Sequence, residues 1–210
     1  VDAWRVANHG KLVSFPHSTV RFWDLRYFFD PRSYSRDRCA LPRPDVIAVS
    51  GESVKAALLE SGYPVKELVE VEALRYLYLE AFSNTPRRPS VNRKKPLKIL
   101  VLGDYLPSST ALQMELIEEV RDHLLNVELT VKPHPSCPID PANYPKLKFA
   151  QTNQPLSSII DQFDLAYTSS FSAAAIDAYI SGLRVISVLD SSTLNLSPLR
   201  KVEGVEFVST

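Results

Sequence analysis

From residue 97 onward, short apolar runs alternate with helix-length segments, and few folds accommodate that order. Residues 97–102, 127–131, 147–150, 165–167, 185–189 and 205–208 read as strands. Residues 112–125, 157–163 and 173–180 carry helical apolar spacing. A strand that returns to its sheet through a helix makes a right-handed crossover, so the pattern predicts an α/β unit with a parallel sheet. A shorter version precedes it, with strands expected at 12–15, 46–49 and 69–71. There Ser50-Gly51-Glu52-Ser53 opens a helix in which Val54, Ala57, Leu58 and Ser61 recur at helical spacing, and Gly62 stands where a C-terminal cap belongs. Between the halves, residues 83–96 (SNTPRRPSVNRKKP) lack apolar periodicity and carry five basic side chains. They read as a solvated interdomain linker, the alternative being contact with a membrane surface or an anionic substrate. No repeat at solenoid periods interrupts this organisation.

Composition narrows the function classes. The 24 basic side chains equal the 24 acidic ones, so no global field favours nucleic acid or an anionic membrane. Hydrophobic residues make up 45 % of the 210, enough for a substantial core. Cys39 and Cys137 have no metal-type spacing and form no disulfide framework, so a reducing compartment is expected. No apolar run approaches the roughly 18 residues that span a bilayer. Residues 1–10 do not resemble a secretory signal, and the chain opens inside what reads as structured sequence, so it is expected to be a fragment.

Two segments carry chemistry. Lys132-Pro133-His134-Pro135 and Thr168-Ser169-Ser170-Phe171-Ser172 each follow an apolar run that reads as a buried strand, and the second opens a helix-patterned stretch. Polar groups just beyond the carboxyl ends of parallel strands lie where open α/β sheets bind ligands. Hydroxyls at a helix start suit an anion, which points to a phosphate-bearing ligand, a nucleotide. His134, between two prolines, has little backbone freedom and is suited to act as hydrogen-bond donor or general acid towards a leaving phosphate. Its alternative is a loop turn in which the ring caps neighbouring carbonyls. Lys132 adds a compact positive charge. Thr168, Ser169, Ser170 and Ser172 are phosphate donors or helix caps. Gly103, after the first strand of this half, permits close backbone approach to a ligand.

A third segment, residues 17–28, mixes His17, Arg21, Asp24 and Arg26 with bulky aromatics. Arg21 or Arg26 can hold a carboxylate in a bidentate fork, Asp24 can serve as base or nucleophile, and His17 as its proton-transfer partner. The alternative is an Arg–Asp ion-pair network that orders a long loop. Asp177 reads as structural or solvent-facing, and Asp190 as a ligand contact. No Walker-type glycine loop, GxGxxG, HExxH or GxSxG occurs, which weakens P-loop, dehydrogenase, zincin and lipase readings.

The chain resembles the GT-B class of glycosyltransferases, in which two Rossmann-like halves face each other across a cleft. Residues 46–76 (VIAVSGESVKAALLESGYPVKELVEVEALRY) are similar to the end of the N-terminal half, and residues from 97 onward to the nucleotide-binding half. KPHP followed by SSFS is similar to the HP and serine motifs of bacterial transferases that use CMP-activated acidic sugars, the sialyltransferases and retaining β-Kdo transferases. HSTVRFWDLRYFFDP resembles a segment of bacterial surface-carbohydrate biosynthesis proteins. The resemblance implies residues 1–82 as the C-terminal portion of an acceptor-side α/β domain, 83–96 as linker and 97–210 as the nucleotide-sugar-binding Rossmann-like domain. It implies that His134 and Pro135 form the HP motif, whose histidine contacts the nucleotide phosphate, and that Ser169 and Ser170 bind the phosphate of CMP. It makes Asp24 a candidate catalytic residue, facing His134 across the cleft in a complete enzyme.

The expected activity is transfer of an acidic sugar from a CMP-linked donor to a bacterial surface glycan. No bound metal or cofactor is expected, and the expected location is the cytoplasm at the inner face of the membrane, with peripheral contact. The expected partners are the nucleotide sugar and a glycan acceptor, not nucleic acid. The alternatives are a teichoic-acid-type transferase using CDP-activated polyol phosphates and a non-catalytic nucleotide-binding module.

Overall fold

A computed structural model of the chain describes residues 1–7, 10–16, 18–21, 24–34, 42–82 and 95–209. It divides into two compact units, Val1–Leu77 and Tyr78–Thr210. His17, Phe22 and Trp23 lie outside the described residues, as does most of the expected linker.

The first unit begins with a short helix, α1 (Asp2–Val6), then runs through β1 (Val13–Ser14), β2 (Val46–Val49), α2 (Glu52–Glu60) and β3 (Leu68–Glu70). The strands form a parallel sheet in the order β1-β2-β3. Every residue of β2 is buried, as a central parallel strand requires. Ile47, Val49 and Leu58 of α2 pack with Tyr34, Tyr63 and Leu68. The C-terminal cap of α2 forms at Gly62, whose φ of 85° lets its N–H reach Leu59 O at 2.9 Å while Tyr63 N–H reaches Leu58 O at 3.0 Å. That pair of bonds is a Schellman cap, and a left-handed residue at its centre favours glycine.

In the second unit the order is β4 (Leu97–Leu102), α3 (Pro107–Glu119), β5 (Val127–Lys132), β6 (Ala150–Gln151), β7 (Leu165–Ser169), α4 (Ala174–Ile180), β8 (Arg184–Leu189) and β9 (Val205–Ser209). All strand pairs are parallel, in the spatial order β6-β5-β4-β7-β8-β9. The chain therefore starts in the middle, winds out to β6, then crosses back and winds the other way. Alternate β4 residues serve two cores. Leu100 and Leu102 join Ala166, Val185 and the α4 alanines Ala175 and Ala178 on one face, while Val101 joins Val131 and Met114 and Ile117 of α3 on the other. Helices thus cover both faces, the doubly wound α/β arrangement.

Three expected elements differ, the first being the strand expected at 147–150, which forms only at Ala150–Gln151. The helix expected at 112–125 starts five residues earlier, because Pro107 occupies its first turn and needs no N–H partner there. It stops at Glu119 and passes into a 3-10 turn, Arg121–His123. Residues 157–163 form two 3-10 turns, Leu156–Ser158 and Ile160–Gln162, which still deliver Ile160 fully buried. Among the described residues, no helix is long and apolar enough to cross a membrane.

Candidate functional site

The strand order reverses at β4, with β5 on one side and β7 on the other, and the crevice outside the carboxyl ends of such strands is where α/β sheets bind ligands. Register brings three loops to this edge together: Leu102 of β4 is level with Lys132 of β5 and with Thr168 of β7. The KPHP turn and the serine segment therefore leave the same edge of one sheet, roughly 10 Å apart across β4.

The β4 loop touches both. Gly103 donates its N–H to Lys132 O at 3.0 Å. A Cβ on Gly103 would meet His134 N at 3.2 Å and Pro133 Cα at 3.3 Å. The glycine thus lets the β4 loop approach the KPHP backbone closely. Asp104, 1 % exposed, accepts Leu106 N–H at one carboxylate oxygen and the Ser169 hydroxyl at the other. Its backbone is held by Thr110, which accepts the Asp104 N–H at 2.9 Å and donates to its carbonyl. Tyr105 is 42 % exposed, with its ring edge-on to His134 at 6.2 Å between centroids.

The hydroxyls divide by what they already do. The single proton of Ser169 goes to Asp104, and its oxygen also accepts Phe171 N–H, so Ser169 is a structural tie and its donor is spent. Thr168 is fully buried with Oγ1 unpartnered, beside the equally buried Ser187 hydroxyl one strand over. Ser170 and Ser172 are buried, and their hydroxyls have no hydrogen-bond partner among the described residues. Helix α4 begins only at Ala174, after an Ala173 N-cap, and no side chain caps it, so the helix-cap alternative is also absent.

His134 lies in an exposed turn closed by Cys137 N–H to His134 O at 2.9 Å. Its Nδ1 faces Ser136, accepting that residue's backbone N–H at 3.2 Å, with the Ser136 hydroxyl at 2.7 Å. Nδ1 therefore caps no carbonyl. Buried Cys137 and Ile139 anchor the far side of the turn. Lys132 is half-buried at the end of β5, its ammonium in no ion pair among the described residues.

In the first unit, Arg26 binds Asp24 through both prongs, Nε at 2.8 Å and Nη2 at 2.6 Å. The bonded guanidinium holds the Asp24 carboxyl below its ordinary value of 3.8, against the opposing effect of burial. The Arg26 fork expected for a substrate carboxylate is thus occupied, as the ion-pair alternative requires. Arg21 adds a further favourable charge at Asp24. Asp190 is bound by its own Ser192, and Asp177 accepts the Tyr78 hydroxyl at 2.6 Å, a structural contact. A cavity of about 580 Å³ in this unit, lined by Lys11, Asp45, Lys66 and Glu67, lies at the amino ends of the strands, the opposite edge from ligand sites of this architecture. Among the described residues, no three His, Cys, Asp or Glu side chains gather as a metal site.

Three residues of the edge escaped the sequence reading. Asp104 had a signal, an acidic residue directly after the end of the central strand. Ser136 had one too, a short polar residue two positions after a histidine in a proline turn. Tyr105 had none.

No family model and no curated protein matches the chain. Among solved structures, the GtfA/B complex matches with a TM-score of 0.55 over 99 % of this chain and 43 % of that one, at 15 % identity. Looser likenesses are to the Thermosulfurimonas dismutans KpsC beta Kdo 2,7 transferase (TM-score 0.44, 19 % identity, 62 % of this chain and 43 % of that one) and to TarM (0.47, 13 %, 79 % and 34 %). Neither of these two is close enough to carry an argument. The chain thus spans less than half the length of each of these three proteins. The likeness is one of fold: a GT-B-like α/β architecture built on parallel sheets.

Proposed function

We propose that the protein is a glycosyltransferase moving an acidic sugar from a CMP-activated donor to a bacterial surface glycan, with the nucleotide phosphate held at the carboxyl edge of β4, β5 and β7. The supporting observation is the β4 loop, which packs on the backbone of the KPHP turn through Gly103 and ties down Ser169 through Asp104. A loop that fixes both neighbours at a topological switch point is a preorganised ligand edge. In this reading His134 donates to the leaving phosphate, Lys132 supplies charge, and the Ser170 and Ser172 hydroxyls contribute donors not otherwise used. Thr168 and Ser169 sit behind them as support.

In the first unit, Asp24 would act as base or nucleophile, with Arg21 for the sugar carboxylate. The Asp24–Arg26 pair favours a second reading, nucleotide binding without catalysis, because it occupies both groups. A thermal-shift comparison of CMP, CDP, UDP and ADP tests the donor. CMP should stabilise most, CDP preference would indicate a polyol-phosphate transferase, and no response to any would reject the site. Transfer assays separate the two readings: CMP binding without transfer in the wild-type full-length protein supports the non-catalytic module, whereas transfer supports the enzyme, with Asp24 catalytic if Asp24→Asn loses transfer but keeps CMP binding and structural if transfer is unchanged.

A further inference from the structure

The HP turn sets the protonation geometry of its own histidine. His134, Pro135, Ser136 and Cys137 form a four-residue turn closed by Cys137 N–H to His134 O, with proline in the second position, where its fixed φ suits the turn. Inside it, Nδ1 of His134 receives the backbone N–H of Ser136 at 3.2 Å and lies 2.7 Å from the Ser136 hydroxyl. A backbone N–H can only donate, so Nδ1 presents its lone pair and the proton of the neutral ring resides on Nε2. The Ser136 hydroxyl then also donates to Nδ1. Backbone contact from Gly103, so close that a Cβ there would have to displace it by a few tenths of an ångström, holds the peptide from which the ring departs.

We infer that Ser136 is a positioning residue that locks His134 as an Nε2–H hydrogen-bond donor. This rests on the reading above that the edge binds a nucleotide phosphate, and it decides between two roles for the histidine. A general acid would have to be imidazolium, carrying a second proton on Nδ1. That proton would meet the Ser136 N–H, donor against donor, and only the Ser136 hydroxyl could accept it after turning its own proton away, so protonating Nδ1 forfeits the backbone bond. While Nδ1 keeps the Ser136 N–H, His134 stabilises the phosphate by donating a hydrogen bond and keeps its proton. The proline after the histidine thus serves the chemistry by placing Ser136 N–H under the ring.

Long-range proton–nitrogen NMR correlation on the full chain, at a pH where imidazole is neutral, reads the tautomer directly, with His134→Ala assigning the signal. The expected result is one tautomer, protonated at Nε2, and a proton on Nδ1 would overturn the inference. Ser136→Ala, which keeps the backbone N–H but loses the hydroxyl, should retain the Nε2–H tautomer while shifting the Nδ1 resonance, and should weaken CMP binding about two- to tenfold as the ring loses a restraint. Ser136→Thr should restore both the resonance and the binding. An Nδ1 resonance and a CMP affinity both unchanged in Ser136→Ala would remove the Ser136 hydroxyl from the role. If wild-type protein does not bind CMP, the phosphate reading fails while the spectrum still decides the tautomer.

Discussion

Gly103 is packed so closely on the KPHP backbone that its substitution has a definite consequence. The atoms a Cβ would meet are the His134 nitrogen and Pro133 Cα, neither of which can rotate away. Gly103→Ala should cost about 1–3 kcal/mol by overpacking and shift the His134 amide resonance, as urea unfolding and amide NMR would show. At Asp104 the concern is satisfaction: Ser169→Ala would strip one donor from a buried carboxylate, a loss of about 1–3 kcal/mol. Asp24 makes a pH prediction. Its folded-state pKa lies below the ordinary 3.8, so its pairing with Arg26 adds stability above that value and loses it as pH falls through the lowered one. Asp24→Asn should flatten the acid limb of the stability profile. At this scale the residue types and strand-end positions were readable from sequence. The choice of donors was not, because it depends on Ser169 meeting Asp104, 65 residues away.

Among the elements, the approach to β2 depends on a buried ion pair. Arg43, 5 % exposed, grips Glu67 with Nε and Nη2 at 2.7 and 2.9 Å and reaches the Tyr34 carbonyl. Removing one partner leaves the other charged and buried, so Arg43→Met should cost about 3–5 kcal/mol, while Arg43→Met with Glu67→Leu should recover most of it. Denaturant melts of the three variants would check this. Apolar runs revealed β2, β4 and β7, and Gly62 revealed the end of α2, since both signals are local. The start of α3 was placed too late because apolar spacing begins after Pro107-Ser108-Ser109-Thr110, a polar first turn. The segment at 157–163 has helical spacing but breaks at Ile159, whose φ of −124° is not helical, into two 3-10 turns.

For the whole molecule, the parallel α/β class followed from alternation alone, whereas the strand order did not, because pairing between β4 and β7 joins residues more than 60 positions apart. The central strands β4 and β7, buried on both faces, should exchange amide protons slowest, with β6 and β9 faster at the sheet edges. The measurement that tests the central claim most directly is calorimetric titration of CMP into wild-type protein and His134→Ala. Saturable binding weakened by about 1.5–3 kcal/mol, the loss of a hydrogen bond to a charged group, is predicted. Equal affinity in the two proteins, or no binding in wild type, would contradict a nucleotide phosphate site at this edge.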